Sequence, residues 1–134
     1  MKLPRPTAPI DKKPVEWIGS SKQDLSEFPR EVRILFGFAL HEAQLGRKHP
    51  EAKPLKGFGG AGILEVVSRH DGGAFRAVYT IKLAGHIYVL HAFQKKSKTG
   101  IATPQADVAL IKARLKVAMA DHAERLASKE GQPK

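Results

Sequence analysis

The side chains best suited to chemistry in this chain gather in residues 74–104, AFRAVYTIKLAGHIYVLHAFQKKSKTGIATP. Arg76 lies inside an apolar run. A second apolar run, residues 87–93, turns abruptly into Gln94, Lys95, Lys96, Ser97 and Lys98. A buried strand that feeds directly into a cationic loop can hold positive charge rigidly at the end of a sheet, an arrangement suited to a phosphate-rich partner. His49 and His70 fall in loops on the same basic side and could transfer protons, because imidazole titrates near neutrality. His91 lies within the second run; counting alternate residues puts it with Ile87, Val89 and Phe93, which reads as a buried, hydrogen-bonded histidine. The histidines lack the carboxylate-rich spacing of a metal site. Gly57, Gly59 and Gly60 are not followed by the Lys-Ser/Thr pair of a phosphate-cradling loop. No metal or cofactor is expected.

Composition narrows the partner. The 134 residues carry 23 Lys and Arg against 13 Asp and Glu, a formal net charge of +10. That surplus favours polyanions: nucleic acid, the ribosome, an anionic membrane or an acidic protein. There are no cysteines, which removes disulfides, thiol catalysis and thiolate metal sites. No apolar run reaches the roughly 20 residues needed to cross a bilayer. The N-terminus has no apolar signal segment. A cytoplasmic protein of bacterial or phage type, away from membranes, is the expectation.

The elements that would position these residues can be read along the chain. Residues 1–13 hold three prolines and several charges, a flexible basic arm. A single domain follows over residues 14–128, and residues 129–134 read as a frayed tail. Residues 15–18 form a short first strand. Ser21 and Asp24 have capping spacing for a short helix over 22–27. Pro29 opens a longer helix whose apolar stripe is Val32, Leu35, Phe36, Ala39 and Ala43, ended by Gly46. Residues 47–62 read as a basic, glycine-containing connection with Arg47, Lys48, Lys53 and Lys56. Strands follow at 63–69, 74–82 and 86–94, with turns at 71–73 and 83–85. Thr103 and Pro104 then cap and open a long final helix. The fold class is α+β: a small antiparallel-dominated sheet packed with an N-terminal helical hairpin and a C-terminal helix.

Two local motifs resemble a known family. One is Phe75-Arg76-Ala77-Val78-Tyr79. The other runs from Leu90-His91-Ala92-Phe93-Gln94-Lys95-Lys96-Ser97-Lys98-Thr99 to Ala102-Thr103-Pro104. Together they resemble the phage-derived branch of the RelE/HigB toxins, within the RelE/ParE superfamily of type II toxin–antitoxin systems. The resemblance spans most of the chain and omits the proline-rich arm. It implies a toxin that cleaves mRNA in the ribosomal A site, neutralised by a cognate helix-turn-helix antitoxin. Relatives that poison DNA gyrase share the fold, so a non-catalytic gyrase-binding toxin is the alternative, followed by a basic nucleic-acid-binding phage protein.

Metal-independent RNA cleavage uses the substrate's own 2′-OH as nucleophile and needs cations around the phosphate. By the resemblance, Arg76 contacts the scissile phosphate, and one of the paired lysines, Lys95 or Lys96, stabilises the charge that builds there. Lys56, Arg69, His70 and Lys98 are expected to hold the RNA. Glu65 matches an acidic family position and could orient Arg76 or act as general base, the orienting role being the expected one. The chain departs from the family pattern in two places. Val67 stands where the branch often has arginine, with Arg69 the nearest substitute. No aromatic residue follows Phe93, so the late tyrosine of some RelE relatives has no counterpart.

Overall fold

The computed structural model describes residues 12–59, 62–95 and 103–131, with side chains to residue 128. The elements run β1 (Val15–Trp17), α1 (Ser21–Ser26), α2 (Arg30–Gln44), β2 (Ala52–Pro54), β3 (Ile63–His70), β4 (Gly73–Thr80), β5 (Ile87–Lys95) and α3 (Gln105–Gly131). One five-stranded sheet has the order β1-β5-β4-β3-β2. β1 pairs with β5 in parallel, and every other pairing is antiparallel. The expected α+β class holds.

Alternation along the strands divides the apolar side chains between two faces. Leu64, Val66, Phe75, Ala77, Tyr79, Ile87 and Val89 pack with Val32, Phe36, Ala39, Leu40 and Ala43 of α2. Ile63, Val78, Tyr88 and Leu90 pack with Ile111 and Ala118 of α3 on the other side. The sheet is therefore the middle of three layers, which is why β5 is apolar on both faces. Each fully buried Phe, Leu, Ile or Val in these layers stabilises the fold by roughly 1.5–3 kcal/mol.

The helix ends differ slightly from the expected ones. Pro29 occupies the N-cap of α2 rather than its first turn. Ser20, not Ser21, pairs with Asp24, its hydroxyl donating to Oδ2 at 2.7 Å. Ser21 is buried and donates instead to the Val89 carbonyl. Gly46 ends α2 at φ 80°, a conformation that favours glycine.

Two larger differences bear on the site. Residues 47–62, read as a connection, contain the edge strand β2, whose Pro54 is tolerated because an edge needs no donor on its outer side. In β5 the register slips: Val78 faces His91, but Tyr79 faces Val89, leaving Leu90 as an extra residue. This bulge puts Leu90 and His91 on the same side. His91 therefore shares the α3 face with Phe93, not the α2 face with Ile87 and Val89.

Candidate functional site

The strand register builds the site in rows. Arg69, Ala74 and Lys95 lie directly opposite one another across β3, β4 and β5, and Val67, Arg76 and Phe93 form the next row. Behind them come Lys53, Glu65, Val78 and His91, with Lys53 contributed by β2. Residues directly opposite share a face, so all three rows look toward the side that carries α3. Arg69 and Lys95, two strand spacings apart, are separated by about 10 Å at the backbone. Arg69 and Lys53 are exposed and Lys95 is half-buried. Arg69 and Lys95 thus stand at the end of the sheet, and Lys53 lies two rows further back on the edge strand.

Arg76 is held deeper. Its side chain is 7% exposed, and Nη1 donates to Oε2 of Glu65 at 2.8 Å. The Thr103 hydroxyl donates to the same oxygen at 3.2 Å. Thr103 was expected to cap α3; its hydroxyl instead joins the chain just before that helix to β3. Glu65 takes the orienting position expected of it. Arg76 is charge-compensated within the fold, and exposed Arg69 and half-buried Lys95 make up the adjoining row.

Next to Phe93, the His91 ring stacks on the Phe93 ring at 4.5 Å and 16°. Its Nε2 lies 2.7 Å from Oδ1 of Asp107 in the first turn of α3. The Arg114 guanidinium stands 3.5 Å from Nδ1. Arginine can only donate, so a proton on Nε2 and a lone pair on Nδ1 satisfy both neighbours. Arg114 also donates to the Leu90 carbonyl at 3.0 Å and to Ser20 at 3.1 Å, tying α3 to the β5 bulge and the start of α1. A side chain at Gly19 would meet this guanidinium at 2.9 Å. Asp107 and Arg114 were not singled out in the sequence, because nothing in their spacing marks them as partners of a residue in β5.

Other expected site residues lie elsewhere. His70 sits on the α2 face, 3.4 Å from Asp71 and 4.0 Å from Glu31, with its back to Arg76. Lys56 follows Leu55, whose N–H bonds the carbonyl of Ile63 at the start of β3. Six residues of strand separate that end from Arg69, roughly 20 Å. His49 accepts the Glu51 N–H in a turn. Lys96 and Lys98 lie outside the described residues.

A second polar group ties the far half of α3 to the opposite end of the sheet. The Tyr88 hydroxyl donates to Asp121 at 2.7 Å, and Arg125 bridges Asp121 and Glu16. Arg125 and then the Tyr88 hydroxyl hold the Asp121 carboxyl below the usual range, while burial pushes the Tyr88 hydroxyl up. Among the described residues, no group of three or more His, Asp or Glu is placed to hold a metal ion. No described helix is long and apolar enough to cross a membrane.

No curated protein matches the chain. Among solved structures, the RelBE2 toxin–antitoxin complex from Mycobacterium tuberculosis is similar, with a TM-score of 0.42 and 21% identity over 66% of this chain and 98% of that one. The profile of a family described as "Phage derived protein Gp49-like (DUF891)" matches residues 23–116, which include β3, β4, β5, Arg76, the Lys95–Lys96 pair and the first turns of α3. The chain belongs to this Gp49-like family of phage-derived, RelE-type toxins.

Proposed function

We propose that this toxin is a ribosome-dependent mRNA endonuclease that arrests translation. The observation that carries the reading is the Arg69–Ala74–Lys95 row, set directly beside the buried Arg76–Glu65 pair. Two cations about 10 Å apart on a rigid sheet end match the scale of a nucleic-acid backbone, whose phosphates dominate affinity. In the cleavage step the 2′-OH attacks the adjacent phosphorus and loses its proton. The P–O5′ bond breaks, leaving a 2′,3′-cyclic phosphate, and the departing 5′-oxygen takes up a proton. Lys95, with Lys96 beside it in sequence, opposes the extra negative charge of the pentacoordinate state. Arg76, fixed by Glu65, stands on the same face in the row behind Lys95. This route uses the RNA's own nucleophile and assigns no step to a cofactor.

The partners in this reading are mRNA on the ribosome and a cognate helix-turn-helix antitoxin that covers the cations. The test is induction of the protein alone in bacteria with mapping of mRNA 5′ ends. New ends in phase with codons are expected, and growth arrest without them overturns the reading. One observation favours a second reading: Arg76 is buried and compensated, as suits a toxin that binds rather than cleaves. A gyrase-binding toxin would give DNA breaks and an SOS response under the same induction.

A further inference from the structure

The edge of β5 carries a cavity that the proposed chemistry does not use. β1 covers only Ile87–Val89, and α1 lies beside the rest of the strand. Between α1 and β5 is an open groove of about 610 Å³, within the size range of small-ligand sites. Its apolar walls are Phe28, Phe75 and Phe93, and its polar groups include Asp24, Glu27 and Gln94. Phe28 and Phe75 are packed against each other with ring centroids 4.9 Å apart. Phe93 is backed by the parallel His91 ring, itself bonded to Asp107, so its orientation is fixed by the fold.

The two carboxylates retain acceptor capacity. Asp24 accepts from Ser20 through Oδ2, and Glu27 accepts from Gln23 through Oε2. The other oxygen of each has no such side-chain donor in these pairs. Carboxylates repel phosphate, so this groove is unsuited to the RNA backbone. Aromatic walls with carboxylate acceptors instead suit the flat face and the N–H edge of a base. The phosphate-facing cations are close at hand. Lys95 lies two residues beyond Phe93, about 7 Å along the strand, and Arg76 lies opposite Phe93.

We propose that the α1–β5 groove is a nucleobase pocket that favours bases with an exocyclic amino group (adenine, cytosine and guanine) over uracil. The base stacks against the phenylalanine walls, and its amino group donates to Asp24 or Glu27. The proposal rests on the RNA-directed reading above and assigns its sequence preference to residues outside the cationic row.

The test measures binding of the full chain to uncleavable 2′-deoxy-substituted hexamers of A, C and U. The wild-type protein is expected to bind the A and C hexamers roughly tenfold tighter than the U hexamer, the scale of a good base-edge contact. Asp24→Asn with Glu27→Gln keeps the size of both side chains and an acceptor toward Ser20 and Gln23. It should narrow that ratio to about twofold, with the U affinity unchanged or raised because two charges that repel phosphate are gone. Lys95→Ala should weaken all three hexamers alike. Equal binding of the three by wild type, or an unchanged ratio in the double variant, overturns the pocket while leaving the RNA reading intact. Failure of every hexamer to bind overturns the pocket as a site on the free protein, whereas the ribosome-dependent reading falls only if induction gives no codon-phased mRNA ends.

Discussion

Replacing Glu65 separates the folding role of Arg76 from its chemical role. The pair sits in a region where Arg76 is 7% and Glu65 16% exposed, with 2.8 Å between Nη1 and Oε2. Removing one partner strands the other charge in a poorly hydrated place, and breaking a buried pair in this way costs about 3–5 kcal/mol. Some hydration remains at Glu65, so the lower end applies, and Glu65→Leu should lose about 3 kcal/mol. Arg76→Met leaves Glu65 with the Thr103 hydroxyl, which offsets part of the cost, giving about 2–3 kcal/mol. The double variant buries no uncompensated charge and keeps apolar volume. Its loss should fall short of the sum of the singles by about 1–3 kcal/mol. Urea unfolding of the four proteins checks the cycle, and growth arrest on induction gives the functional readout. If Arg76 supports the RNA chemistry, the double variant folds and is no longer toxic. Additive single losses would refute the coupling, and full toxicity in the folded double variant would refute any role for Arg76 at the site.

Lys95→Ala should weaken RNA binding uniformly across sequences and reduce the slope of log affinity against log salt by about 1, measured by titration at several ionic strengths; an unchanged slope would remove Lys95 from the phosphate-facing row. The Tyr79 hydroxyl is buried with no hydrogen-bond partner among the described residues, so Tyr79→Phe should stabilise the fold by about 1–2 kcal/mol in thermal unfolding, and a loss of stability would mean that the hydroxyl is satisfied. Burial also pushes that hydroxyl up to about 12. A raised folded value means that its contribution is complete below the ordinary tyrosine value of about 10 and is lost as pH rises through about 12. Across that window the wild type should therefore lose about 3 kcal/mol that Tyr79→Phe does not lose. Asp121 is shifted the other way, chiefly by Arg125, so its contribution is present above the ordinary carboxylate value of about 4 and disappears as pH falls below it. Asp121→Asn should flatten that acid limb in a pH series of melting temperatures.

Much of this architecture is legible in the sequence, for reasons particular residues make clear. Phe75, Ala77 and Tyr79 alternate strictly with Arg76, Val78 and Thr80, and the structure divides them between the two faces in the same way. Asp71-Gly72 adopts positive φ at both residues, 48° and 76°, as a tight hairpin turn demands. The failures have local causes. β2 has three residues and a proline, too short to show periodicity against a glycine-containing background. His91 was placed on the wrong face because a period of two cannot be counted through the Leu90 bulge. Phe93, two residues further on, lies on the face that the structure assigns to His91. The partners that the α3 end supplies to Glu65 and His91 were harder still. Thr103 has the composition of a helix cap and Asp107 that of a first-turn acid, so local rules account for both without reference to the sheet.

Those two residues have a consequence for how the site holds together. Ile111 is the first residue of α3 with a fully buried side chain, so the turn before it gains little from apolar packing. Its described attachments to the sheet are polar: Thr103 to Glu65, and Asp107 to His91. Each ends on a residue that touches a site component, Arg76 in one case and the Phe93 ring in the other. Hydrogen bonds to carboxylates contribute about 1.5–3 kcal/mol each, comparable to one buried leucine, but water or a partner's polar groups can replace them. The helix is thus anchored by apolar burial at Ile111 and Ala118 and by exchangeable polar contacts at the end that borders the cations. A partner able to replace those two hydrogen bonds would shift that turn and uncover Glu65 and His91, leaving the Arg76–Glu65 pair, the His91–Phe93 stack and the core in place. The opposite half, fastened by Tyr88, Asp121, Arg125 and Glu16, would remain in place. The division places the adjustable end of α3 beside the proposed chemistry and the fixed end away from it.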